Sequence, residues 1–228
     1  MFISQIWPQA WKKNKKRSTM PYVLKIDPAK PDTAPIQEVA RILTTGGVIA
    51  YPTETFYGLG CDGQNERAVE RIYALKGRSF TSPLSVIIGQ RDDVLKIVDE
   101  VPTAGHKLMG RFWPGPLTLV FRASSQVLPR LTAHTGKIGL RISSHPVATL
   151  IAKALARPIT ATSANLTGSG ESLSATEAIE SFGDRLDAVI DAGPTPGGKG
   201  STIVDVTVNP PLLLREGIIP FSIIQNCL

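Results

Sequence analysis

A chain of 228 residues with 42% hydrophobic and 19% charged residues can bury one sizeable core, which excludes the fibrous and disordered classes. Its net charge of +6 is lopsided: Lys12, Lys13, Lys15, Lys16 and Arg17 come before residue 20 and leave 20 basic against 19 acidic residues, too even for a wide duplex-binding footprint. No stretch reaches the roughly eighteen apolar residues of a membrane span, and two distant cysteines, Cys61 and Cys227, exclude a disulfide framework and point to a reducing, cytoplasmic compartment.

Residues 1–20 form a basic leader without the apolar segment of a secretory signal, because its lysines follow its aromatic residues. Pro8 opposes a long helix there, and Met20 is a second candidate start. The leader is therefore expected to be disordered or a non-native extension, with 21–228 the working domain. Apolar spacing predicts a helix over 36–43, stopped by Gly46-Gly47, and then a buried strand over 48–51. Asn65 is placed to cap a helix running to about residue 75, with Ala68, Val69, Ile72, Tyr73 and Leu75 on one stripe. A short apolar run over 84–88 predicts a strand covered on both faces. Helices follow over 92–98 and 103–111. The Pro114-Gly115-Pro116 turn leads into a strand over 117–121. Next come a strand over 138–142, a helix over 146–155 and a strand over 158–162. Ser174 and Glu177 have the spacing of a capping box, so a helix starts there and ends near Gly183. Strands over 188–191, 202–208 and 212–215 complete the pattern. The alternation predicts a single α/β domain around one large, twisted, mixed β-sheet flanked by helices.

Gly193-Pro-Thr-Pro-Gly-Gly-Lys199-Gly200 comes near a phosphate-binding P-loop but fails twice. Gly200 stands where a Ser or Thr must reach the metal, and a strand rather than a helix follows. A Gly/Pro loop covering a site is the better reading. His106, His134 and His145 have no ligand spacing, so no protein metal site is expected, and Cys61 reads as a small core residue. Lys76-Gly77-Arg78 ends one apolar helix and Ser163-Ala164-Asn165 ends an apolar strand. Two cations and two neutral hydrogen-bonding side chains suit the phosphates of a nucleotide, provided that folding joins the triplets. Alone, Lys76 and Arg78 could equally complement a helix dipole. If 51–60 stays extended, Thr53 and Thr55 face one side and Glu54 the other. Arg141 ends an otherwise apolar strand; a buried cation needs an anionic partner, and a substrate carboxylate would serve. Arg215 ends another, inviting the same argument for phosphate.

Taken together, these segments resemble the YrdC-type family of L-threonylcarbamoyl-adenylate synthases from about residue 45 to 217. The matching pieces are Gly47-Val-Ile-Ala-Tyr-Pro-Thr-Glu-Thr-Phe-Tyr-Gly-Leu-Gly60, Leu75-Lys-Gly-Arg78, Pro83-Leu84, Trp113-Pro-Gly-Pro-Leu-Thr-Leu-Val120, Ile138-Gly-Leu-Arg141, Thr162-Ser-Ala-Asn165, Gly200-Ser-Thr-Ile203 and Leu214-Arg-Glu-Gly217. Their joint order is what makes the likeness specific. It implies a YrdC-like fold with one open, positively charged cavity. It also implies a nucleotidyltransferase that turns L-threonine, bicarbonate or CO₂, and ATP into L-threonylcarbamoyladenylate and pyrophosphate. That product would feed the threonylcarbamoyl (t6A) modification of adenosine-37 in tRNA through a downstream transferase machinery.

By the same likeness, Lys76, Arg78, Ser163 and Asn165 match the Lys-x-Arg and Ser-x-Asn signature and are the implied catalytic and ATP-binding residues. Ser82, Thr118 and Arg215 fall at further ATP positions. Thr53, Thr55, Arg141 and Ser201 fall around threonine, and Mg²⁺ would arrive with ATP. Two departures are visible. Several members carry His where this chain has Ile87, and longer members append a second C-terminal domain, whereas this chain is expected to be the short, single-domain form. The first rival is a non-enzymatic double-stranded RNA- or tRNA-binding protein of the same fold, which the near-neutral body disfavours. The second, a carbamoyl-adenylate module of the hydrogenase-maturation type, would bring zinc-type cysteine clusters that this sequence lacks.

Overall fold

The structure, a computed structural model, describes residues 20–166 and 168–228. The leader expected at 1–20 lies, save for Met20, outside the described residues. Local rules set the helix ends. Asn65 caps α2 (Glu66–Lys76), its side chain accepting from the Ala68 amide at 3.1 Å. Ala68, Val69, Ile72 and Tyr73 form the buried stripe of that helix. Gly77 ends it in the left-handed region at φ 59°, where the lack of a Cβ makes the turn cheap. Ser174 caps α5 (Ala175–Phe182) by accepting from the Glu177 amide, and Glu177 reaches back to the Leu173 amide. The helices α1 (Thr33–Thr44), α3 (Thr103–Phe112) and α4 (Pro146–Leu155) fall where the apolar spacing puts them, and α6 (Phe221–Gln225) closes the chain. The helix expected over 92–98 is instead a 3-10 segment, Arg91–Lys96, with only Val94 buried. One buried residue gives too narrow an apolar face to hold an α-helix down.

The strands divide between two sheets, where the sequence suggested one. The first has the order β1 (Tyr22–Lys25), β9 (Ala188–Asp191), β2 (Ile49–Pro52), β3 (Tyr57–Gly60) and β8 (Thr162–Ser163). The second runs β11 (Leu212–Arg215), β10 (Thr202–Asp205), β5 (Leu117–Arg122), β6 (Lys137–Arg141), β4 (Val86–Ile87) and β7 (Ile159–Thr160). Both mix parallel and antiparallel pairs. The single strand expected over 158–162 is where the sheets meet. Its first half pairs with β4, its second half with β3, and Ala161 between them donates to the Ser85 carbonyl at 2.8 Å.

A large apolar core joins residues of both sheets with α2, α3 and α5, through Tyr57, Tyr73, Leu117, Phe121, Leu140 and Phe182 among others. A second cluster packs α1 and α4 over β2 and β9, with Tyr51 fully buried and its hydroxyl donating to the Thr160 carbonyl. Cys61 is a buried core residue whose thiol burial pushes up to about 12. No helix among the described residues is long and apolar enough to cross a membrane.

Candidate functional site

Gly77 decides where the two cations of the first triplet go. Lys76, the last residue of α2, is 5% exposed and turns inward, whereas Arg78 lies beyond the left-handed cap and is half-buried. The Lys76 ammonium donates to the Ser163 carbonyl at 2.6 Å, to the Asn165 carbonyl at 2.9 Å and to Asn165 Oδ1 at 3.0 Å. Ser163 Oγ donates to the same Oδ1 at 2.7 Å, and Asn165 Nδ2 to the Ser169 carbonyl. The two triplets, 87 residues apart, are thus one hydrogen-bonded unit. The Lys76 pKa is pulled down to about 8, chiefly by burial, with Glu171 opposing the shift and the charge of Arg78 adding to it. Arg78 donates to the Pro83 carbonyl at 3.2 Å, which fixes the 79–83 turn carrying Ser82. Tyr73 holds that turn from the other side by donating to the Ser82 carbonyl.

Strand register assembles a second group. In the second sheet Ile203 lies against Arg215 on one side and Thr118 on the other, and the antiparallel β5–β6 pairing brings Arg141 to the same end. Thr118 and Ser201 share a hydroxyl–hydroxyl bond of 2.9 Å. Arg215 donates twice to the Ser201 carbonyl, at 3.1 and 2.8 Å, and once to its hydroxyl. Gly217 is required here, since a Cβ on it would lie 2.1 Å from the Gly200 carbonyl oxygen. Burial lowers the pKa of Arg215, and so does the charge of Arg141, while Glu171 opposes them. Glu171 therefore sits in the field of both groups. Nothing in the sequence pattern marked this acid.

The stretch 51–60 does not stay extended: it bends at 54–56 between the antiparallel strands β2 and β3, the Thr55 amide donates to Thr53 Oγ1, and the two threonine hydroxyls meet at 3.0 Å within that turn. The Gly/Pro loop folds against them, with the Gly197 amide donating to the Thr55 carbonyl and Tyr57 donating to the Gly193 carbonyl. It leads into β10 and no helix follows it, so the P-loop reading fails on geometry.

Arg141 needs a correction. The anionic partner sought for it in a substrate is already supplied by the chain: Glu54 Oε1 lies 2.7 Å from Nη1, with both side chains mostly buried. Glu54 Oε2 accepts from Ser143 Oγ. The argument from a buried cation alone therefore does not demand a ligand. Ile87 lies beside Arg141 in the β4–β6 register and is fully buried in the second core cluster. It is an apolar packing residue. Among the described residues no group of three or more His, Cys, Asp or Glu could hold a metal ion. A separate cleft of about 450 Å³ at the start of β2 contains none of these residues, and its cations are paired, Arg41 with Glu38 and Arg71 with Asp187.

Within this mixed α/β fold Lys76, Ser163 and Asn165 form one hydrogen-bonded group, and Thr118, Ser201 and Arg215 form another. The chain belongs to the Sua5/YciO/YrdC family, described as "Telomere recombination", whose family model matches residues 41–217. It is 38% identical over 192 residues to threonylcarbamoyl-AMP synthase of Pyrococcus abyssi, covering 84% of this chain and 56% of that protein. The Bacillus subtilis protein of that name is 37% identical over 183 residues, covering 80% and 53%. The Vibrio campbellii one is 34% identical over 183 residues, covering 79% and 98%. The chain thus spans about half the length of the first two relatives and nearly all of the third. Among solved structures, Pyrococcus abyssi Sua5 complexed with L-threonine superposes with a TM-score of 0.87 at 34% identity, over 90% of this chain and 60% of that one. Escherichia coli YciO does so with a TM-score of 0.82 at 28% identity, over 89% and 98%.

Proposed function

We propose that this protein is an L-threonylcarbamoyladenylate synthase, using L-threonine, bicarbonate or CO₂, and ATP, and that its product serves t6A formation on tRNA through a separate transferase in the cytoplasm. The observation that carries this reading is the Lys76 ammonium locked onto Ser163 and Asn165, which makes one charged, directional unit from the two signature triplets. The likeness to relatives named threonylcarbamoyl-AMP synthase, one of them solved with L-threonine, supports it.

The residues divide the chemistry as follows. The threonine amine adds to CO₂ and loses a proton, giving a carbamate. A carbamate oxygen then attacks the α-phosphorus, a new P–O bond forms, and the bond to the pyrophosphate oxygen breaks. Carbamate and ATP are both anions, so fixed cations must offset their repulsion before they can meet. Arg78 and Arg215 take the phosphates with planar donor forks. Lys76 contributes its charge and holds Ser163 and Asn165 in place to orient the nucleotide. Ser82 and Thr118 complete the ATP contacts. Thr53, Thr55, Ser201 and Arg141 surround threonine, with Arg141 taking its carboxylate. Mg²⁺ would arrive with ATP and offset part of the phosphate charge.

Incubation with ATP, labelled bicarbonate and each amino acid in turn, followed by mass analysis, tests this. An adenylate with threonine and little with other amino acids is expected. Arg78→Ala should lower turnover about a hundred- to a thousandfold, on the order of 2.7–4 kcal/mol of barrier, without unfolding the protein. Absence of an adenylate with every amino acid would overturn the reading.

A further inference from the structure

Glu54 is a mostly buried carboxylate with no part in the chemistry above, yet it touches a residue placed at the substrate. Its two oxygens are divided, Oε1 on Arg141 Nη1 and Oε2 on Ser143 Oγ. Ser143 is itself fixed, since its hydroxyl accepts from the His145 amide at 3.1 Å and its carbonyl accepts from Thr149 Oγ1 at 2.6 Å. The carboxylate is therefore anchored through the first turn of α4, by way of Ser143 just beyond β6, although Glu54 belongs to the loop after β2. Arg141 engages it with one nitrogen only. Nε and Nη2 make no hydrogen bond among the described residues, and neither is among the buried polar atoms left without a partner, so neither is sealed from solvent. Those two nitrogens share one edge of the guanidinium plane, the edge that takes a carboxylate in two parallel bonds.

We propose that Glu54 is a positioning residue for the amino-acid carboxylate: it grips Arg141 at Nη1 and so presents the Nε–Nη2 edge as a preformed two-donor fork. This rests on the reading that Arg141 receives that carboxylate. Arg141 and Arg215 lie in each other's field, so a second cation stands near the fork. Pre-setting the fork removes the cost of ordering a long side chain when substrate binds. The opposite arrangement, in which Glu54 occupies the substrate's own seat and must leave, fits less well, because Ser143 ties the carboxylate to a helix and the open edge of Arg141 needs no displacement.

The test is steady-state kinetics of pyrophosphate release for wild type, Glu54→Ala, Glu54→Gln and Glu54→Asp, with L-threoninol, which lacks the carboxylate, as a competing ligand. In Glu54→Ala the threonine KM should rise at least tenfold with the ATP KM within about twofold. The preference for threonine over threoninol should shrink by a similar factor. Glu54→Gln should recover most of this, because its amide oxygen still accepts from Nη1; Glu54→Asp, one methylene shorter, should recover less. A threonine KM that is unchanged or lower in Glu54→Ala and Glu54→Gln, or an unaltered threonine-to-threoninol preference, overturns the proposal. A wild-type protein that forms no threonine adenylate would instead overturn the reading beneath it. If Glu54→Ala does not fold, the glutamine and aspartate variants and their threoninol preference decide the matter.

Discussion

Lys76 is a cation whose usefulness and burial pull against one another. Burial has brought its pKa down to about 8, well below an ordinary lysine. Between about pH 8 and the ordinary lysine range the unfolded chain holds a proton that the folded one has released, so this group makes folding more favourable as pH rises there. Nucleotide binding should move the other way, since deprotonation removes a positive charge and one donor from the 163–165 turn. Calorimetric binding of a non-hydrolysable ATP analogue should weaken above pH 8 by up to about tenfold per unit. The stability of wild type relative to Lys76→Met, from urea unfolding, should increase over the same range. Parallel loss of both would refute the assignment. Lys76, Ser163 and Asn165 were visible in the sequence as residue types, but their hydrogen bonds were not. Glu54 was visible only as the odd residue of a Thr-Glu-Thr alternation, and Glu171 not at all, because a lone acid in a loop carries no period.

At the scale of elements, caps were the most legible feature. An Asn before an apolar stripe and a Ser three residues ahead of a Glu each name a helix start from chemistry within four residues. Asn65→Ala should cost about 1 kcal/mol, seen as a lower urea midpoint with unchanged slope. Turnover in the absence of denaturant should stay within about twofold, because Asn65 sits a helix length away from Lys76. A large loss of turnover would mean that the start of α2 controls where its end points. Strands were harder. β3 reads Tyr-Gly-Leu-Gly, and two glycines in four residues look like a turn. Yet Gly60 must be small, since a Cβ there would lie 2.7 Å from the Tyr51 ring. β1 was missed because three of its four residues are exposed and it pairs only with a strand more than 160 residues away.

At the scale of the whole molecule, the Glu54–Arg141 pair joins the loop after β2 of the first sheet to the end of β6 in the second, with both side chains mostly buried. Breaking it from one side should be costly: Arg141→Met leaves a carboxylate buried and should lower stability by about 3 kcal/mol. The double variant Glu54→Leu with Arg141→Met should recover most of that loss, since two apolar side chains tolerate the same burial. Equal melting curves for single and double variants would show that the pair does not clamp the sheets. By itself, the sequence determined what local chemistry can set: the alternation of helices and strands, the helix caps, the Gly77 stop between two cations, and the ordered motifs that mark the family. Only the tertiary structure decided that the strands part into two sheets at Ala161, that Lys76 closes on the 163–165 turn, and that Arg141 is held by Glu54. Those outcomes depend on contacts between residues about 90 apart in the chain, where hydrogen bonding and charge act through space and leave no periodic trace along the sequence.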